Sequence, residues 1–143
     1  MTSRVVLDTN QLIAALSRPP QLATFVMAWE SNRFAVVASR ELLDEYEYVL
    51  DYPQIKALIE PELLRSYRTH LFQEIELVTL TEIPRLCRDP DDDKVLATAL
   101  FGLVDCLLTE DNDLLTKEIK AILTASDIEV MSMSDWVKQL DTL

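Results

Sequence analysis

Histidine occurs once in the 143 residues, as His70, and cysteine twice, as Cys87 and Cys106. The cysteines form no CxxC pair and no ligand spacing, so a zinc site is not expected. They read as reduced thiols of a cytoplasmic protein. No apolar run approaches the ~18–20 residues of a membrane span. Met1–Val5 enters a strand-like run directly, without the pattern of a signal peptide. Positive charge is scarce as well: 13 Lys and Arg face 25 Asp and Glu, for a net charge of −12. That balance alone argues against non-specific nucleic-acid binding, which cations on phosphate drive. It agrees with an acidic site that needs bound cations, with a surface that meets a basic partner, or simply with solubility.

What is present is a globular composition, 49% hydrophobic, on a length that suits one domain over 1–143 and buries a core without disulfides. Arg4–Leu7 is a β-branched run without helical period and reads as a buried strand. A short helix follows from Gln11 to Ser17, and a second spans Leu22 to Ser31. Phe34–Val37 is strand-like, and Ser39 is an N-cap for a helix over Arg40–Leu50. Pro61 opens a helix to about Gln73. Ile75–Leu80 is strand-like, and the segment from Thr81 to Asp92 is a loop. Asp93–Phe101 is helical, with Gly102, the sole glycine, as its C′ residue. Val104–Thr109 is a strand, and Asn112 to about Leu123 has helical period. Glu129–Met131 is a short strand, and Ser134 caps a last helix ending near Leu140. Strands alternating with helices predict an α/β fold: a parallel sheet of about five strands with helices on both faces.

Such sheets bind ligands beyond the carboxyl ends of their strands. Asp8 directly follows the first strand, and Asp111 follows the Val104–Thr109 strand by two residues. Glu45 lies three after Leu42 and four before Val49, within an apolar helical stripe. Asp93 lies four before Ala97 and seven before Leu100, on the side of its helix expected to be buried. A carboxylate so placed is costly unless a cation or hydrogen bonds compensate. Each acid also has an ordinary explanation. Asp8 suits an Asx turn or a capping box with Gln11. Asp93 suits the helix dipole, Glu45 the rim of its stripe, and Asp111 an N-cap. One shared cation site accounts for all four together. Asp89, Asp91, Asp92, Glu110 and Asp113 surround these positions and read as solvated or outer charge, and Glu41 is an alternative to Glu45.

Four segments carry a family resemblance in order: VVLDTNQLIAAL at 5–16, SRELLDEYEYVL at 39–50, DPDDDKVLATAL at 89–100 and LLTEDNDLL at 107–115. They resemble the motifs of PIN-domain proteins, in particular bacterial and archaeal members of toxin–antitoxin pairs. The resemblance implies a Rossmann-like three-layer sandwich of strand order 3-2-1-4-5, with Mg²⁺ or Mn²⁺ at Asp8, Glu45, Asp93 and Asp111. It also implies cleavage of single-stranded RNA, a homodimer, and a cognate antitoxin lying across the groove. The acidic composition and the long 112–123 stretch depart from the pattern. On this reading Asp8 and Asp93 are direct metal ligands, and Glu45 and Asp111 complete the site directly or through water. Asn10 and Thr109 orient carboxylates or phosphate. Arg40, Lys94, Arg18 and Lys117 are the candidate RNA contacts. Two rivals remain at this point. A haloacid dehalogenase-type phosphotransferase would need a second Asp where Asn10 stands. A non-catalytic PIN-like module would act through an interface with a basic partner.

Overall fold

The computed structural model describes residues 3–17, 25, 27–29 and 31–141. Five parallel strands form one sheet of order β3-β2-β1-β4-β5. They are β1 (Ser3–Leu7), β2 (Phe34–Ser39), β3 (Glu76–Val78), β4 (Cys106–Leu108) and β5 (Glu129–Met131). Helices surround the sheet in the expected α/β Rossmann-like arrangement: α1 (Thr9–Ser17), α2 (Arg40–Leu50), α3 (Pro53–Lys56), α4 (Pro61–Glu74), α5 (Asp93–Gly102), α6 (Lys117–Ala125) and α7 (Met133–Asp141). A single 3₁₀ turn, Pro90–Asp92, precedes α5. Of the helix expected over Leu22–Ser31, Phe25 and residues 27–29 are helical, while Leu22 and Val26 lie outside the described residues.

The central strand β1 pairs with β2 through Val5↔Val36 and with β4 through Leu7↔Leu108. Val5, Val6 and Leu7 are fully buried, as a strand covered on both faces must be. Phe25, Trp29, Phe34 and Trp136 form one aromatic cluster, with the rings of Phe34 and Trp136 at 4.5 Å. Ser39 accepts the Leu42 N–H at 3.2 Å and caps α2 as its sequence suggests, a contact worth about 1 kcal/mol. The same hydroxyl meets Thr98 of α5 at 2.8 Å, locking two helices over the sheet. The Tyr46 hydroxyl donates to the Leu7 carbonyl at the very end of β1. Burial, joined by the charges of Asp8 and Glu45, raises the Tyr46 pKa well above that of a free phenol.

Several boundaries differ from expectation for local reasons. Gly102 is the last residue of α5, and Leu103 takes the left-handed conformation, with φ 48°. The glycine serves close approach instead. A Cβ there would stand 3.3 Å from Val104, Val37 and Val78. Residues 112–116 are turns, and α6 begins only at Lys117, where the Thr116 hydroxyl accepts the Ile119 N–H at 3.3 Å. Ser132 rather than Ser134 accepts the Asp135 N–H at 3.1 Å at the start of α7. Among the described residues, no helix is long and apolar enough to cross a membrane.

Candidate metal centre

The carboxyl ends of β1 and β4 lie side by side, so the residues that follow them meet. Asp8 continues the pairing by one residue, its N–H donating to the Leu108 carbonyl at 2.9 Å. Its own carbonyl accepts the Gln11 and Leu12 N–H groups and starts α1. Gln11 does not close a capping box. Its side-chain oxygen accepts the Met133 N–H at 2.7 Å. The Asp8 carboxylate is thereby left for the sheet edge, where it accepts from the Thr109 hydroxyl at 2.9 Å. Thr109 Oγ1 in turn accepts the Asp111 N–H at 3.0 Å, so one buried hydroxyl ties two acids together. Burial raises the Asp8 pKa, the Thr109 hydroxyl opposes the rise, and the charges of Asp111 and Glu45 add to it.

Asp111 is half-buried, and its Oδ1 accepts the Asp113 N–H at 2.9 Å in an Asx turn. Glu45 is also half-buried and near enough to Asp8 for their charges to repel. Both its oxygens are engaged: Oε2 accepts from the Thr9 hydroxyl, and Oε1 lies 2.9 Å from the Lys94 ammonium.

The third acid is where sequence and structure part. Asp93 is buried, as its place on α5 suggests, but its carboxylate turns back to the preceding loop. Oδ1 accepts the Cys87 N–H at 2.7 Å and the Leu86 N–H at 2.9 Å. Burial works against the Asp93 charge, yet the Cys87 and Leu86 N–H groups outweigh it and hold the pKa below the usual range. Asp92, read from sequence as outer charge, instead faces Asp111, Asp8 and Asp89. It is only 8% exposed, and its Oδ2 has no hydrogen-bond partner. Burial first, then the charge and hydrogen bond of Asp111, then the charges of Asp8 and Asp89, push the Asp92 pKa up to about 7. A sequence signal for Asp92 does exist. It lies three before Val95, four before Leu96 and seven before Ala99, all buried, so it continues that stripe of α5.

The neighbours extend the acidic edge outward. Oxygens of Asp89, Asp92 and Asp113 lie within 4.8 Å of one another. Arg88 reaches Asp113 at 2.8 Å. Asn10 is exposed and lines a cleft of about 410 Å³ with Gln11, Ala14, Glu110 and Asp111. Arg40 is exposed and 3.9 Å from Asp44, Lys117 is exposed at the start of α6, and Arg18 lies outside the described residues. Lys94, expected at the RNA, is committed to Glu45.

A bare, buried carboxylate oxygen among like charges is costly without a compensating cation. The donors are all oxygen, which suits Mg²⁺ or Mn²⁺ and not a soft metal. Asp92 is the hub of this edge: its oxygen lies within 4.8 Å of those of Asp89 and Asp113, the charges of Asp111 and Asp8 act on it, and its orphaned oxygen fits a hard divalent ion. A family profile described as PIN domain matches residues 4–113. A search of curated proteins returns no match.

Proposed function

The chain belongs to the PIN-domain family, and from that premise we propose that it is a metal-dependent endoribonuclease acting on single-stranded RNA, the toxin of a type II toxin–antitoxin pair. Asp8, Asp92 and Asp111 hold one Mg²⁺ or Mn²⁺. Glu45 borders that ion through water, both its oxygens being engaged by Thr9 and Lys94. The observation that carries the reading is the unpartnered Asp92 oxygen facing Asp8 and Asp111. When bound, the ion polarises the scissile phosphate and lowers the pKa of the attacking water.

The chain's own residues prepare that site. Thr109 fixes the Asp8 carboxylate by donating to it, and sets the backbone of Asp111 by accepting from it. Asp93 pins residues 86–87 and so orients the turn that presents Asp92. Asn10, exposed on the cleft beside Asp111, is placed to hydrogen-bond a phosphate oxygen or the ribose. The cognate antitoxin and a second copy of the chain are the proposed protein partners, on the strength of the family resemblance.

The test is cleavage of an end-labelled single-stranded RNA by purified protein in Mn²⁺. Asp8→Asn is expected to lower the rate at least ~100-fold with no loss of thermal stability. Undiminished cleavage by that variant, or equal cleavage in chelator, would refute the assignment.

A second reading draws on a specific observation. The cations nearest the acids are spent on them, Lys94 on Glu45 and Arg88 on Asp113, and the net charge is −12. Weak RNA affinity follows, which favours a PIN-like binding module for a basic partner. Metal binding together with inactivity on varied RNAs would select it. The haloacid dehalogenase alternative gives way to the family match, in line with Asn10 at the position where it needs an acid.

A further inference from the structure

Among the described residues, Arg88 and Lys94 pair with acids of this edge, and they do so differently. Arg88 holds Asp113 at 2.8 Å with its side chain 69% exposed, so little keeps it there. Lys94 holds Glu45 at 2.9 Å with both side chains largely shielded, at 22% and 24% exposure. The other Glu45 oxygen takes the Thr9 hydroxyl, next to Asp8 in the chain. Thr98 Oγ1 bonds the Lys94 carbonyl at 2.6 Å, and Thr98 meets Ser39 at the head of the helix that carries Glu45. The backbone of Lys94 is thus fixed in α5, and its ammonium is held by Glu45 of α2.

We propose that the Lys94 ammonium occupies the second cation position of the centre, so that the site takes one divalent ion and not two. This rests on the metal-dependent reading above. Two-metal nuclease sites place their ions ~3.5–4 Å apart and use them to share the charge on the phosphate. Here the carboxylates divide. Asp92 has an oxygen with no partner, whereas neither oxygen of Glu45 is free. A divalent ion at Glu45 would have to displace a shielded ammonium, which forms a compact point charge much as a metal ion does. Lys94 therefore supplies fixed positive charge at Glu45, whose own charge reaches Asp8. Its place is on the helix that starts directly after Asp92, so one element sets both.

Calorimetric titration with Mn²⁺ alone, without RNA, separates the possibilities. The unaltered chain is expected to bind about one ion, and Lys94→Met about two, because Glu45 is then left open. The double variant Lys94→Met/Glu45→Gln is expected to return to about one ion, and it avoids a stranded Glu45 charge should the single variant fold poorly. Cleavage by Lys94→Met is expected to change as well, falling ~10–100-fold at saturating Mn²⁺. Two ions on the unaltered chain, or a folded Lys94→Met that still binds one with unchanged affinity, would overturn the proposal. No ion on any form would instead bring down the metal centre itself, and this inference with it.

Discussion

The two ends of the sheet treat their carboxylates in opposite ways. At the amino end, Arg4 of β1 gathers everything within reach. Its guanidinium takes Glu76 of β3 at 2.7 and 3.1 Å and the Gly102 carbonyl at 2.6 Å, while its N–H binds Asp105 at 2.8 Å. Glu76 and Asp105 there each have a cation or an N–H donor, and both lie toward solvent. At the carboxyl end the acids are more deeply buried and less well paired. Asp8 has a hydroxyl, Asp92 an orphaned oxygen, and both sit at raised pKa. An end that served only to close the fold would resemble the first. The second stores unfavourable charge that a bound cation would relieve, and this is how a chain can give up stability to hold a site ready.

The comparison breaks most sharply at Asp92 and Asp93, adjacent acids with opposite tasks. Asp92→Asn is expected to lower cleavage at least ~100-fold, to weaken Mn²⁺ binding, and to leave the metal-free protein as stable or more so. Asp93→Asn is expected to do the reverse: it loses about 1–2 kcal/mol of stability, because the Leu86 and Cys87 N–H groups lose a charged acceptor, with metal affinity little changed. Calorimetry and thermal melts on both variants decide it. Equal loss of metal binding would restore Asp93 as a ligand.

At the opposite end of the sheet, Arg4→Met is expected to cost about 2 kcal/mol, since Glu76 and the Gly102 carbonyl lose a shared partner, while Asp105 keeps the backbone N–H of residue 4. Metal stoichiometry should not move. A denaturant melt reads the first effect and titration the second. A change in metal binding would mean that the two ends are not separate.

How much of this a reader of the sequence sees depends on what each feature needs. Asp8 and Asp111 are legible because strand ends in a parallel sheet point to one edge, and periodicity places Arg40–Leu50 correctly to the residue. The PIN-domain resemblance and the strand order 3-2-1-4-5 hold as well. That Asp92, and not Asp93, faces Asp111 and Asp8 comes from DPDDD, three acids in a row, where an unforeseen 3₁₀ turn over Pro90–Asp92 sets the direction of each. Either acid continues an apolar stripe, so pattern alone does not choose. The Glu45–Lys94 pair joins residues 49 positions apart on different helices, and nothing local announces it. Gly102 shows the limit of a positional rule. The end of α5 is where a glycine often supplies positive φ, but here it sits where a Cβ would crowd Val37, Val78 and Val104 at 3.3 Å.

The mildest perturbation is pH itself, applied to the metal-free fold, and the sign of its effect distinguishes the two kinds of acid. Asp92 is raised to about 7 and Asp8 is raised too, so the folded chain holds protons that the unfolded chain releases near pH 4. Stability from these two groups is therefore greatest at low pH and declines as pH climbs from about 4 to about 7. Asp93, held low, works the other way, but only below the ordinary carboxylate range. The metal-free protein should thus melt higher at about pH 5.5 than at pH 7.5, by about 2 kcal/mol or ~5 °C. Asp92→Asn should flatten that slope. Saturating Mg²⁺ should reverse it, because the ion competes with protons for the same oxygens and binds better as they leave. A melting temperature that climbs steadily from pH 5.5 to 7.5 without metal would show that the carboxyl end is no more strained than the end Arg4 closes.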